Sequence, residues 1–89
     1  MRRKALSRRI EAVLEYIRRG HSIKEACALA GVPRASFYKR LDTDPKLQER
    51  VEQAECESVD LALRNIRSAL LEGDVRVSMW VLERRLPEV

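Results

Sequence analysis

Aromatic, glycine and proline residues are scarce in this chain, with Phe, Trp and Tyr at 4% and only three Gly and three Pro in 89 residues. Few β-branched and aromatic runs are therefore available for strands, and the composition suits helices. Cysteine is limited to Cys27 and Cys56, which are isolated from each other and have no Cys or His at metal-ligand spacing. Neither a disulfide framework nor a metal site is expected, and both thiols read as reduced. No long apolar run occurs: the most apolar stretch, Val75 to Leu86, is interrupted by Arg76, Glu83, Arg84 and Arg85, so no membrane span is expected. No apolar segment near Met1 suggests secretion, and a cytoplasmic location is expected. There is no glycine-rich phosphate loop with a lysine and no carboxylate cluster set for a metal. The only histidine, His21, sits in the Gly20 to Ser22 loop with no Cys or carboxylate in its immediate sequence neighbourhood. No catalytic residue and no cofactor are expected.

What is present is charge and helical periodicity. The chain is 45% hydrophobic and 36% charged. It reads as all-α, an N-terminal helix-turn-helix three-helix unit followed by a long-helix/short-helix antiparallel hairpin. Charge is polarised: Met1 to Arg40 holds eleven Lys/Arg against three Glu, a balance of +8, and Leu41 to Val89 holds seven against eleven acids, a balance of −4. A basic front and an acidic back fit a protein whose first half meets a polyanion while its second half does something else. So short a chain buries too little surface to be very stable alone, so help from a partner subunit is expected.

Leu6, Ile10, Val13, Leu14 and Ile17 recur on one stripe, predicting a helix from about Ala5 to Arg19 that Gly20 stops. Arg2, Arg3, Lys4, Arg8 and Arg9 make its start cationic. Ser22 with Glu25 forms a capping-box signature for a helix over Ile23 to Ala30. Gly31 tolerates positive φ, Val32 precedes proline, and Pro33 presets φ for a helix from Arg34 to Leu41. From Pro45 a helical pattern runs to Gly73, roughly 40 Å of helix at the usual rise. Gly73 suits a left-handed cap, Asp74 the next N-cap, and Val75 to Arg85 a last helix before Pro87. The charge reversal suggests a boundary at Asp42 to Pro45, giving residues 1–44 for DNA binding and 45–89 for oligomerisation.

Small Cys27, then Gly31, Val32, Phe37 and Leu41, lie where two short helices must meet across a tight turn. The helix after Pro33 is left with Arg34, Ala35, Tyr38 and Lys39 outward and Arg40 at the flank. Such a helix enters the major groove with its first residues on base edges, while Ser22, Lys24 and Ser36 are placed for phosphates. Pro33, at the mouth of the helix, completes the expected double-stranded DNA contact. Tyr38 fits equally well as a DNA contact or packed against the first helix. In the second half, Val51, Leu61, Leu63, Ile66, Leu70, Val77, Trp80 and Val81 are the expected contacts between copies. Val59, Leu63 and Leu71 lie beside the main stripe, where one short partner helix cannot cover them, and unburied apolar surface favours a second copy.

The run from Ile23 to Leu41, followed by Asp44-Pro45, a long acidic helix, Gly73-Asp74 and Leu82-Glu-Arg-Arg-Leu-Pro87, resembles a small terminase subunit of tailed bacteriophages. TetR-type repressors share the Gly31-Val32 and Phe37-Tyr38 element, and the tail after Asp44 separates the two. The resemblance implies a non-enzymatic, ring-like homo-oligomer that binds the packaging site on viral DNA in the bacterial cytoplasm. It also implies delivery of that DNA to a large terminase subunit holding the ATPase and nuclease. Two other readings stay open on the residues themselves: a dimeric helix-turn-helix transcriptional regulator, and a helical adaptor whose basic half binds an acidic protein.

Overall fold

The computed structural model describes residues 2–85, with side chains from Ser7 onward. The side chains of Arg2, Arg3, Lys4 and Leu6, and all of Leu86 and Pro87, lie outside the described residues. Five helices follow in order: α1 (Arg2–Arg18), α2 (Ile23–Ala30), α3 (Arg34–Thr43), α4 (Pro45–Leu71) and α5 (Val75–Arg85). No strand occurs among the described residues.

The chain divides into two compact units, Met1–Val59 and Asp60–Val89. The division falls inside α4 and not at the turn before Pro45, and the reason is packing. The core of the first unit takes Ile10, Val13, Leu14 and Ile17 from α1, Ala26 and Cys27 from α2, Val32 and Phe37 at α3, and Leu47, Val51 and Ala54 from α4. Val51, expected among the contacts between copies, is 5% exposed and belongs to this core, because the 47, 51, 54 spacing turns those residues inward together. Two ion pairs fix the register of α4 on α1. Arg50 pairs with Glu11, and Arg18 Nε lies 3.0 Å from Glu57 Oε2. Each partner is one heptad beyond the other on its helix, so α1 and the first part of α4 run parallel. These pairs are largely exposed and set register more than they stabilise.

The ends of α2 and α4 use the same device, a glycine in the left-handed region. After α2, the Gly31 N–H donates to Ala28 O at 3.4 Å and Val32 N–H to Cys27 O at 2.9 Å, the two bonds of a Schellman cap. Gly31 sits at φ 73°, and a Cβ placed there meets nothing within 4 Å. Gly31→Ala is therefore expected to cost about 1–2 kcal/mol from backbone strain alone. Thermal melts should show this as a lower Tm with unchanged DNA specificity; no change would mean the turn relaxes to another conformation.

The second unit is a helical hairpin made of the last part of α4 and α5. Gly73, at φ 83°, ends α4, with Asp74 N–H donating to Ala69 O at 3.0 Å. Asp74 Oδ1 accepts from Val77 N–H at 3.0 Å and starts α5. Leu63, Ile66 and Leu70 face Trp80 and Val81 along a shared groove. No described residue of this unit is buried; Ile66, Leu70, Val77 and Val81 are half-buried, and Leu61, Leu63 and Trp80 are exposed.

Candidate nucleic-acid interface

The turn between α2 and α3 is built on Phe37, whose ring is 1% exposed and packs beneath the turn with Cys27 and Val32. Burial pushes the Cys27 thiol up from its ordinary value, with the nearby Arg34 charge opposing, so Cys27 stays a packing group. With Phe37 fixed inward, the helical period sets what α3 presents. Ala35 and Lys39 lie on the outer ridge, Arg34 and Tyr38 on one flank, Ser36 and Arg40 on the other. Arg34, Ala35, Ser36, Tyr38, Lys39 and Arg40 are all exposed, as are Lys24 on the first turn of α2 and Pro33 before α3. Tyr38 is 42% exposed, its ring edge-to-face with Phe37 at 6.4 Å.

The ionic partners sort the cations into two groups. Arg18, Arg19 and Arg50 are held by Glu15, Glu57 and Glu11. Lys24, Arg34, Lys39 and Arg40 make no ion pair among the described residues. Arg8, Arg9 and Lys46 of the first unit are also outside any ion pair among the described residues, and α3 with the start of α2 contributes four such cations, which a polyanion can meet without first displacing a carboxylate.

Helix starts give a second asymmetry. Ser22 Oγ closes α2, Asp44 Oδ1 closes α4 by accepting from Lys46 and Leu47 N–H at 3.1 Å each, and Asp74 closes α5. At α3 the N-cap is Pro33, with φ −59° and ψ 127°, and it supplies no side-chain cap. The amides of its first turn are left open toward an anion such as a phosphate.

Ser22, expected at a phosphate, also caps α2. Its hydroxyl accepts from Glu25 N–H at 3.2 Å and donates to Glu25 Oε1 at 2.9 Å, while its own N–H donates to that carboxylate at 3.1 Å. Ser22 thus acts as the N-cap of α2, and its side chain remains exposed. His21 also has a carboxylate beside it, Glu25 Oε2 at 3.9 Å from Nδ1, brought there by the turn of the capping box. The Ser22 bonds, with a smaller contribution from His21, hold the Glu25 carboxyl below its ordinary value. A group depressed on folding stabilises fully above its unfolded value and loses that contribution as pH falls through the depressed one. Ser22→Ala is expected to cost about 1 kcal/mol at neutral pH. It should also flatten the acid limb of a Tm-against-pH curve, and an unchanged limb would remove Ser22 as the cause.

The sequence pattern missed Asp42. It places the end of α3 at Leu41, but the helix continues to Thr43, whose hydroxyl bonds back to Lys39 and Arg40 carbonyls at 3.4 and 3.3 Å. Asp42 therefore lies one turn beyond Lys39 on the outer part of α3 and is exposed. The signal was Asp44-Pro45, an N-cap and first-turn proline that leave the preceding residues to α3.

Among the described residues no helix is long and apolar enough to cross a membrane, and no group of His, Cys, Asp and Glu is placed to hold a metal. No curated protein and no solved structure matches the chain. Residues 8–42 match the family model of a helix-turn-helix domain, a span that begins within α1 and ends on α3. The first part of the chain thus carries a helix-turn-helix DNA-binding domain, with α3 as its exposed cationic helix.

Proposed function

We propose that the protein is a non-enzymatic DNA-binding subunit that assembles from several copies and acts as the small terminase subunit of a tailed bacteriophage. It would bind the packaging site in the bacterial cytoplasm and pass DNA to the large subunit. The observation that carries DNA binding is the coincidence of unpaired Arg34, Lys39 and Arg40 with an open helix start. Assembly is supported by the second unit. It has no buried residue among the described residues and leaves Leu71 89%, Val75 69% and Met79 57% exposed. Apolar surface of that kind is covered at about 25 cal/mol per Å² gained. Many modules in one particle multiply a weak single-module affinity through effective concentration. The terminase role rests on the sequence resemblance, which spans the domain, the Asp44-Pro45 junction and the Gly73-Asp74 turn.

Light scattering on the full chain tests the reading together with a gel shift on duplex DNA. A particle of many chains that shifts DNA at low salt is the expected result. Trp80→Ala should reduce the particle mass while leaving each module able to bind. A two-chain particle that recognises a palindrome would replace this reading with a dimeric transcriptional regulator, and no shift at low salt would leave a protein adaptor.

A further inference from the structure

Leu63, Ile66 and Leu70 of α4, with Trp80 and Val81 of α5, floor a groove of about 290 Å³. Arg67, Arg84 and Arg85 line the same groove, all exposed, and none of them makes an ion pair among the described residues. Arg84 lies over the Trp80 ring, 5.2 Å from its centre, which holds the guanidinium at the groove's edge. An apolar floor bordered by three unpaired guanidiniums fits an occupant that is apolar at its centre and acidic at its margin. A phosphate backbone matches the charge but offers no cover for the floor.

The chain carries the complementary surface. Glu49, Glu52, Cys56 and Val59 recur along α4 on the side away from Leu47, Val51 and Ala54, and all four are exposed. Glu49 and Glu52 make no ion pair among the described residues, whereas Glu57, round the helix, is held by Arg18. This stripe joins a small apolar centre, Cys56 and Val59, to two unpaired carboxylates.

We propose that the groove takes this acidic face of α4 from a second copy of the chain, with Arg67, Arg84 and Arg85 meeting Glu49 and Glu52 around Cys56 and Val59. The inference rests on the reading that copies assemble and adds how they do so. Because two different patches meet, the contact is heterologous: copies add head to tail, and a ring forms when the rotation closes.

Charge reversal in the full chain tests the pairing, with particle mass read by light scattering and helix content by circular dichroism. Arg84→Glu with Arg85→Glu, and separately Glu49→Arg with Glu52→Arg, should each weaken assembly about tenfold or more, since like charges then face each other. All four changes together should restore it. A second readout uses the thiol of Cys56, which is exposed, whereas that of Cys27 is buried. Cys56 and a cysteine introduced by Arg67→Cys lie too far apart along α4 to bond within one chain. Oxidation should then give a ladder of linked chains, whereas a two-fold contact stops at dimers. A monomeric wild type would end the assembly reading and this pairing with it. A wild type that assembles, but whose reversals do not rescue each other, would overturn the pairing alone. Reversal at Arg84 and Arg85 that left the mass unchanged and lowered only DNA affinity would make the groove a nucleic-acid surface and overturn the proposal.

Discussion

Arg34→Ala combined with Lys39→Ala is expected to weaken duplex binding roughly a hundredfold, taking about 1–2 kcal/mol for each contact. Both side chains are exposed on α3 and free of ion pairs among the described residues, so their removal takes charge from the DNA and from nothing inside the protein. The salt dependence of binding should become shallower, because fewer counterions are released. Particle mass and melting temperature should stay as in the wild type. Arg19→Ala supplies the contrast, since its guanidinium already lies 3.4 Å from Glu15 and should matter little for DNA. Anisotropy titrations at two salt concentrations would measure both. Wild-type affinity in the double variant would remove α3 as the reading helix.

Val51→Asp should have the largest effect on the fold. The side chain is 5% exposed in the core of the first unit. An aspartate there loses the packing and buries a carboxylate without a partner, at a cost of more than about 3 kcal/mol. Loss of DNA binding should follow, although Val51 lies outside residues 8–42. Had Val51 served only contacts between copies, the same change would lower particle mass and leave the DNA module folded. Truncation separates the two outcomes as well. A fragment ending at Val59 keeps Leu47, Val51 and Ala54 over α1 and should melt cooperatively, while one ending at Asp44 exposes that face and should not. Equal melts for the two fragments would return the boundary to the turn before Pro45.

These expectations mark where local and distant interactions divide. The α2 and α5 bounds, the Gly31 and Gly73 caps and the outward set on α3 were legible because each depends on residues within one or two turns: a capping hydroxyl, a left-handed glycine, a stripe of period 3.6. The capping box at Ser22 and Glu25 was legible too, but the bond from the Ser22 hydroxyl to the Glu25 carboxylate was not. Whether a hydroxyl is free depends on a carboxylate's position in space. α3 ends at Thr43 and not at the Leu41 that the sequence predicts, and Asp44 caps α4 through the Lys46 and Leu47 amides.

The sequence alone determined that this chain is helical, that a short turn joins two helices in its first half, and that the second of them carries cations outward, since all of this follows from propensity, caps and periodicity along one strand of residues. Only the tertiary structure decided which part of α4 packs with the first three helices, which arginines are neutralised and which are open, and that no described residue of the hairpin is buried. The physical reason is that an apolar stripe says a face will be covered without saying by what. Val51 and Leu63 were both expected between copies, and only the register of α4 on α1, fixed by Glu11 with Arg50 and Arg18 with Glu57, puts Val51 in the core of the first unit, while Leu63 in the second unit is exposed.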